Sequence, residues 1–299
     1  MTRFCVRVHH AGYTFADLRR LAQSAERLGF DGLSLYDVLN PRALEVWTAL
    51  SALGAVTERL VLMPLVLDVG YRHPALLAKM AAALDLVTGG QRLILGLGYG
   101  GNPADHEAYG FGWEPSVRER VARLEAQVGI MRSLWSSGFE VATPGGPPVL
   151  IASRGVRHGL GGVARQANLC NISFDLSPAE WQHYQQVLAE HCARTGRGMS
   201  EIGLTHNATV VIAEKRTDAE AAFAELARSR KLTAEQARHG LEHALVGTPE
   251  DILKRLRSYA DAGVPLAWVF LLFPDLPGTR SLELFGQSVI PSLRGTSPV

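Results

Sequence analysis

Apolar and polar positions follow two alternating patterns along the whole chain. Short apolar runs are separated by longer segments in which apolar residues recur every three or four positions, the spacing of one helix face. The apolar runs predict strands over residues 4–10, 32–36, 60–66, 92–98, 149–152, 169–174, 202–213 and 266–273.

The segments between these runs are predicted to be helices. They cover residues 13–28, 42–56, 73–87, 116–135, 157–166, 177–194 and 281–288, with two or three more between 217 and 263. Gly29 follows the first helix as a C-terminal glycine should, and Pro74 lies in a first turn, where its missing N–H costs little. Residues 99–114 are predicted to form a loop.

Strands that alternate with helices pair in parallel through right-handed crossovers. The eight units therefore predict an α/β fold, a closed (β/α)8 TIM barrel with loop insertions, formed as a single domain over residues 1–299. An open doubly wound sheet is the alternative. The lack of a composition break or linker between Phe4 and Leu293 favours the closed barrel.

Composition and charge exclude several classes of partner. The formal net charge is +1 and the basic residues are scattered among acids, so neither nucleic acid nor an anionic membrane surface is an expected partner. No apolar stretch is long enough to predict a membrane span, and the first residues do not resemble a signal peptide. Cys5, Cys170 and Cys192 lie far apart and predict neither disulfides nor a metal site, so a reducing, cytoplasmic location is expected.

A glycine-rich stretch follows the fourth predicted strand. Residues 96–101 match G-x-G-x-x-G, but a dinucleotide site needs a helix that begins inside the motif after the first strand. Here no sustained helix is predicted before Ser116, so we interpret the glycines as backbone that passes close to a flat ligand. A flexible surface loop is the alternative.

A second candidate follows the fifth predicted strand. Residues 151–158 run from a strand through Gly155 into a helix start and carry Arg154 and Arg157. Free N–H groups at a helix start attract an anion, and arginine binds phosphate in a bidentate manner. A solvated basic helix start is the alternative.

Six segments, in order over the whole chain, resemble the luciferase-like monooxygenase family, barrel enzymes that use FMN or the deazaflavin F420. They are LAQSAERLGFDGLSLYDVL (21–39), ALEVWTALSALGAVTERLVL (43–62), YRHPALLAKMAAALDLVTGGQRLILGLGYGGNPADHEAYG (71–110), RVARLEAQVGIMRSLW (120–135), PVLIASRGVRHGLGGVARQANLCNIS (148–173) and VGTPEDILKRLRSYADAGV (246–264).

The resemblance implies a cofactor ring across the mouth of the barrel. A non-prolyl cis peptide is expected behind the ring, near Leu65-Val66. By the same resemblance, the ring would be lined by Asp37, Gly98, Tyr99, Gly100 and Asn102, and the cofactor phosphate would be held by Ser153, Arg154, Gly155, Val156 and Arg157.

The chain departs from the family pattern at one position. Many F420-using relatives carry Asp-His at the end of the second strand, whereas this sequence has Asp37-Val38. Asp37 is therefore retained as a candidate catalytic residue. His9 and His10, at the end of the first strand, are the nearest histidines, and His10 is predicted as the catalytic one. A histidine that only packs at the strand end is the alternative for His10.

The resulting expectation is an oxidoreductase that exchanges a hydride with a small organic substrate, with F420 preferred as cofactor. An FMN-dependent monooxygenase and a barrel that binds a ligand without turnover are the alternatives. The resemblance further suggests a homodimer.

Overall fold

The computed structural model describes residues 2–39 and 41–295. Its strands, in chain order, are β1 (Arg3–Val8), β2 (Gly32–Leu35), β3 (Val61–Pro64), β4 (Leu67–Asp68), β5 (Leu95–Gly98), β6 (Val149–Ala152), β7 (Leu169–Phe174), β8 (Gly203–Ile212), β9 (Leu245–Gly247) and β10 (Leu266–Leu272). They pair in parallel in the order β3-β2-β1-β10-β8-β7-β6-β5-β4, and β9 pairs with β8 outside this path.

Helices connect the strands. They are α1 (Phe15–Arg27), α2 (Val46–Gly54), α3 (Pro74–Val87), α4 (Pro103–Ala108), α5 (Val117–Ser137), α6 (Gly159–Gln166), α7 (Pro178–Thr195), α8 (Arg216–Ser229), α9 (Ala234–His243), α10 (Pro249–Asp261), α11 (Arg280–Leu284) and α12 (Ile290–Arg294). Thr248 caps α10, since its hydroxyl accepts the N–H of Asp251.

The sheet curls into a barrel and meets itself between the third and fourth barrel strands. Leu67 and Asp68 of β4 pair with Leu97 and Gly98 of β5, and a single parallel bridge joins Leu62 to Leu93. If β3 and β4 are counted as one interrupted strand, the barrel has the eight parallel strands that the sequence predicts. The (β/α)8 fold is thus confirmed.

Alternation along the strands divides the side chains between two layers. In β1, Val6 packs outward against the helices, whereas Cys5 belongs to the barrel interior with Leu150 and Phe270. The cysteines at 5 and 170 are completely buried, as their apolar surroundings predict.

Three further differences from the sequence prediction concern helix starts and short elements. The helix predicted over 42–56 begins only at Val46, because the Glu45 carboxylate accepts the N–H of Thr48 and caps it there. The predicted loop 99–114 contains α4, which is capped by Asn102 and stabilised by Pro103 in its first turn. The three-residue β9 lies between two helices and was not predicted.

No helix in residues 2–39 and 41–295 is both long and apolar enough to cross a membrane.

Candidate functional site

Three connected depressions lie at the carboxyl ends of the barrel strands, the end at which barrels of this type bind ligands. The main cavity, of about 950 Å³, lies between Arg7, Phe174 and the α8–α9 segment. The glycine cleft, of about 690 Å³, lies between Gly98–Asn102 and Ser153-Arg154. The bridging pocket, of about 430 Å³, shares His9 and Tyr36 with the main cavity and Val38 and Asp105 with the glycine cleft. Together they form one groove across the barrel mouth.

Most of the predicted cofactor residues meet in the glycine cleft. Its lining includes Asp37, Val66, Gly98, Tyr99, Gly100, Asn102, Ser153 and Arg154. Leu65 is instead buried in the barrel interior, and Gly155 lies behind the cleft against the Tyr99 hydroxyl. Val156 and Arg157 are exposed outside it. The residues predicted to hold a phosphate are therefore divided between two surfaces.

A non-prolyl cis peptide bond joins Leu65 to Val66, at the position that the family resemblance implies. It lies between β3 and β4, where the third barrel strand is interrupted, and Val66 lines the glycine cleft.

The glycines of β5 are explained by contacts within the protein. A Cβ at Gly96 would lie 2.1 Å from the carbonyl oxygen of Pro64, and one at Gly98 would lie 2.8 Å from Cγ2 of Val66. Close approach to the neighbouring strand thus requires both glycines, whereas the sequence analysis attributed the approach to a ligand. At Gly101 a Cβ would meet nothing within 4 Å.

Two carboxylates of the glycine cleft are held in place by neighbouring side chains. Asp37 forms a bidentate ion pair with Arg72, at 2.7 and 2.8 Å, and also accepts the N–H of Asp68. The Asp68 carboxylate lies 2.8 Å from Nε2 of His106, whose Nδ1 lies 3.1 Å from the carbonyl oxygen of Gly112. Asp37 is thus engaged in positioning contacts, and His106 connects α4 and its following loop to β4.

Cations without acidic partners line the same cleft. Arg120 is 7% exposed, donates to the carbonyl oxygens of Glu114 and Pro115, and has an Nε without a hydrogen-bond partner. Arg154 is exposed beside it. In the part of the chain that the structure describes, neither arginine forms an ion pair. Two cations beside the Ser153 hydroxyl fit an anionic group such as a phosphate.

His9 and His10, which follow β1, point to opposite sides of the chain because consecutive side chains alternate. His10, predicted as the catalytic histidine, is 1% exposed, and its Nε2 lies 2.8 Å from the carbonyl oxygen of Leu44. His9 is exposed and lines both the main cavity and the bridging pocket. Both histidines border the bridging pocket, but only His9 is exposed and also reaches the main cavity, so the structure favours His9 over His10 for contact with a ligand.

His9 and Tyr36 form a pair at the junction of the two depressions. The Tyr36 hydroxyl lies 2.6 Å from Nε2 of His9, and the rings are 4.0 Å apart. Partial desolvation at the wall of the two depressions, followed by the charges of Arg7 and Arg230, lowers the pKa of His9 to about 4. His9 is therefore neutral at pH 7 and can accept the tyrosine proton at Nε2, which leaves its own proton on Nδ1.

The main cavity contains polar groups that the sequence analysis missed. Arg7 lies on the inner face of β1 and donates to Oδ1 of Asn207 at 2.8 Å. Asp175, at the end of β7, accepts the N–H and hydroxyl of Thr209, and burial raises its pKa to about 6. The signal available in the sequence was an arginine inside a buried strand, RFCVRV.

Other candidates lie away from the groove. His206 is fully buried outside the barrel, where it contacts Trp181 and Tyr259, whereas Asn207 faces the interior. No group of histidine, cysteine and acidic side chains suited to a metal ion occurs within residues 2–39 and 41–295.

Comparisons with known sequences place the chain in one family. The family model described as luciferase-like monooxygenase matches residues 1–265. A phthiodiolone/phenolphthiodiolone dimycocerosates ketoreductase of Mycobacterium sp. (strain JLS) is 31% identical, over 82% of this chain and 69% of the relative. An F420-dependent glucose-6-phosphate dehydrogenase of Rhodococcus erythropolis is 28% identical, over 93% of this chain and 94% of the relative.

Solved structures show the same fold. A monooxygenase from Streptomyces bottropensis superposes with a TM-score of 0.80 at 19% identity, covering 98% of this chain and 100% of the other. An F420-dependent secondary alcohol dehydrogenase, solved with an F420-acetone adduct, gives a TM-score of 0.78 at 18% identity, covering 98% and 99%. At these identities the likeness establishes the barrel architecture.

Proposed function

Since the chain belongs to the luciferase-like monooxygenase family, we propose that it is an F420-dependent oxidoreductase whose cofactor lies along the glycine cleft. Some relatives carry F420 dependence in their names, and family members are oxidoreductases or monooxygenases. FMN is the alternative cofactor, in which case the reaction would be a monooxygenation.

The observation that carries this proposal is the pair of arginines in the glycine cleft. Arg120 is buried without an acidic partner, which is costly for a charged group unless a ligand neutralises it. Arg154 and the Ser153 hydroxyl line the same cleft. We assign these three side chains to the cofactor phosphate, with Val66 and Gly98 under the ring.

A cofactor bound there would accept or donate two electrons as a hydride. Hydride exchange with a carbonyl or an alcohol also requires that a proton be supplied to or removed from the substrate oxygen. Val38 offers no imidazole for this step, so another side chain must carry the proton. We assign this proton to Nδ1 of His9. As Nδ1 releases its proton, the Tyr36 hydroxyl protonates Nε2. Burial raises the pKa of Tyr36, and the Arg7 guanidinium, 4.5 Å from the centre of its ring, offsets part of that rise and so favours the phenolate.

A basic surface beside the glycine cleft favours F420 over FMN. Arg118, Arg157, Arg165 and Arg194 surround a groove of about 370 Å³, here called the arginine groove. Arg165 pairs with Glu125 at 2.7 Å and Arg194 with Glu190 at 3.5 Å, but Arg118 and Arg157 form no ion pair within the described residues. F420 continues beyond its phosphate into a chain of glutamates, whereas FMN ends at the phosphate. The groove would bind those carboxylates.

The cofactor is tested by titrating the purified protein with F420 and with FMN while ring fluorescence is recorded. We expect F420 to bind at micromolar concentration or tighter. Binding of FMN but not of F420 would identify FMN as the cofactor. Binding of neither would refute the redox function in favour of a barrel that binds a ligand without turnover.

Two arginine variants distinguish binding of the cofactor phosphate from binding of the glutamate chain of F420. Arg154→Ala should weaken F420 and FMN alike, whereas Arg157→Ala should weaken F420 about tenfold and leave FMN unchanged, since one charge-assisted contact contributes roughly 1.5–3 kcal/mol. Equal losses for both cofactors in Arg157→Ala would contradict the role of the arginine groove.

The proton transfer is tested with Tyr36→Phe, which removes one hydroxyl. We expect kcat to fall by at least about a hundredfold with cofactor affinity unchanged. Tyr184→Phe, on the outside of the barrel in α7, is the matched control. An unchanged kcat in Tyr36→Phe would exclude the pair from the reaction.

A further inference from the structure

We infer that Arg7 forms a subsite for the carboxylate of the substrate, so that the main cavity takes an organic acid with a bulky apolar body. The proposal begins from the burial of the arginine. Arg7 is 8% exposed, at the top of the barrel interior, and burial lowers the pKa of its guanidinium. Such a side chain remains in a protein interior only when something compensates its charge.

The surrounding protein offers hydrogen bonding without compensating charge. Nη1 donates to Oδ1 of Asn207, whose amide nitrogen is in turn held by Oδ1 of Asn171 and the carbonyl oxygen of Ser173. Nε has no hydrogen-bond partner. In residues 2–39 and 41–295, no carboxylate lies within ion-pair distance of Arg7.

Aromatic rings hold the guanidinium in a fixed place. Its central carbon lies 4.5 Å from the centre of the Tyr36 ring and 4.4 Å from that of Phe174. Both rings line the main cavity together with Arg7. The cation is therefore positioned at the cavity wall, beside the His9–Tyr36 pair to which the proton transfer is assigned.

None of the other charged groups that line the cavity forms an ion pair with Arg7 within the described residues. The Asp175 carboxylate accepts the N–H and the hydroxyl of Thr209. Arg230 lines the same cavity, and its charge acts on both His9 and Asp175. Glu235 lies on α9 at the rim.

The remaining lining indicates the kind of molecule that carries the anion. It includes the apolar side chains of Phe223, Leu226, Leu232, Leu272, Phe273 and Leu276. A volume of about 950 Å³ is at the upper end of the range for drug-sized ligands. An aromatic or branched aliphatic carboxylate satisfies both the single buried cation and the apolar walls. Assigning this acid to a substrate rests on the oxidoreductase proposal above.

The experiment compares 2-naphthoate with its uncharged analogue 2-naphthamide, by calorimetric titration of the full chain without cofactor. We expect naphthoate to bind at least tenfold more tightly than naphthamide. Arg7→Met should abolish the difference, and Arg7→Lys should retain part of it. Arg3→Met is the matched control, because Arg3 stacks on Trp268 at 4.2 Å at the opposite end of the same strand, and it should leave naphthoate binding unchanged.

Each outcome decides the proposal. Equal binding of the two probes to the wild-type protein would overturn it and needs no variant to fold. A preference for naphthoate that survives in Arg7→Met, with its circular dichroism spectrum unchanged, would overturn it as well. If only F420 affinity depends on Arg7, the cation serves the cofactor and the subsite is refuted. Because the probes are measured without cofactor, a failure of F420 to bind leaves the subsite result intact.

Discussion

Gly96 provides a quantitative test of how the third and fourth barrel strands meet. A Cβ added at this position would lie 2.1 Å from the carbonyl oxygen of Pro64, well under the 3.0 Å below which such contacts essentially do not occur. Both partners are backbone in the barrel wall, so neither can rotate away. We expect Gly96→Ala to lower the free energy of unfolding by about 3 kcal/mol or more, as strongly overpacked substitutions do.

Gly101, in the same motif, is the matched control. A Cβ there would meet nothing within 4 Å, and its φ is not positive. Gly101→Ala should therefore change stability by no more than about 1 kcal/mol. Urea unfolding followed by circular dichroism measures both variants, and thermal unfolding of Gly96→Ala should shift down by about 6 °C or more at roughly 2 °C per kcal/mol.

Equal stability of the two variants would refute the steric argument. If Gly96→Ala instead unfolds like the wild type but loses F420 binding, the glycine serves the approach of a ligand, as the sequence alone suggested.

Three further predictions concern the groove. Burial raises the pKa of Asp175 from 3.8 to about 6, so folding takes up a proton between these pH values. The free energy of unfolding of the wild type should therefore fall by about 2 kcal/mol relative to that of Asp175→Asn as pH rises from about 4 to about 7. An equal change of the urea midpoint in the two proteins over this pH range would contradict this. His106→Ala should expose residues 103–112 to faster amide exchange and weaken F420 binding about tenfold, because His106 connects this segment to Asp68; unchanged exchange would exclude that role. Val38→His should add an ionisation near pH 6.5 to the rate profile, whereas an unchanged profile would place position 38 away from the reacting atoms.

The alternation of apolar runs and helical segments was sufficient to predict the barrel, because each strand is covered by a helix and buried on both faces. The interruption of the third strand was not predicted, since the apolar run 60–66 is continuous and the family resemblance implied only the cis peptide near Leu65-Val66. Neither α4 nor β9 was predicted, since six- and three-residue elements carry too little periodicity.

The site was predictable in its location and less so in its individual residues. Gly98 and Ser153 lie on one cleft as expected, but the separation of Arg154 from Arg157 depends on where α6 begins. The choice between His9 and His10 required the register of β1, since one position reverses the face of every side chain. The homodimer and the cytoplasmic location stay predictions.

The closure of the barrel has a consequence for how ligands and folding are coupled. Four residue pairs join β2 to β3. By comparison, the closure of the barrel consists of a single bridge between Leu62 and Leu93 and of the two pairs between β4 and β5. These few contacts lie under the glycine cleft, which spans the same two strands at Val66 and Gly98. A molecule bound across them would hold together the part of the wall where the ladder is divided between one isolated bridge and a two-pair strand. Its binding free energy would then add directly to the resistance of the whole barrel against unfolding.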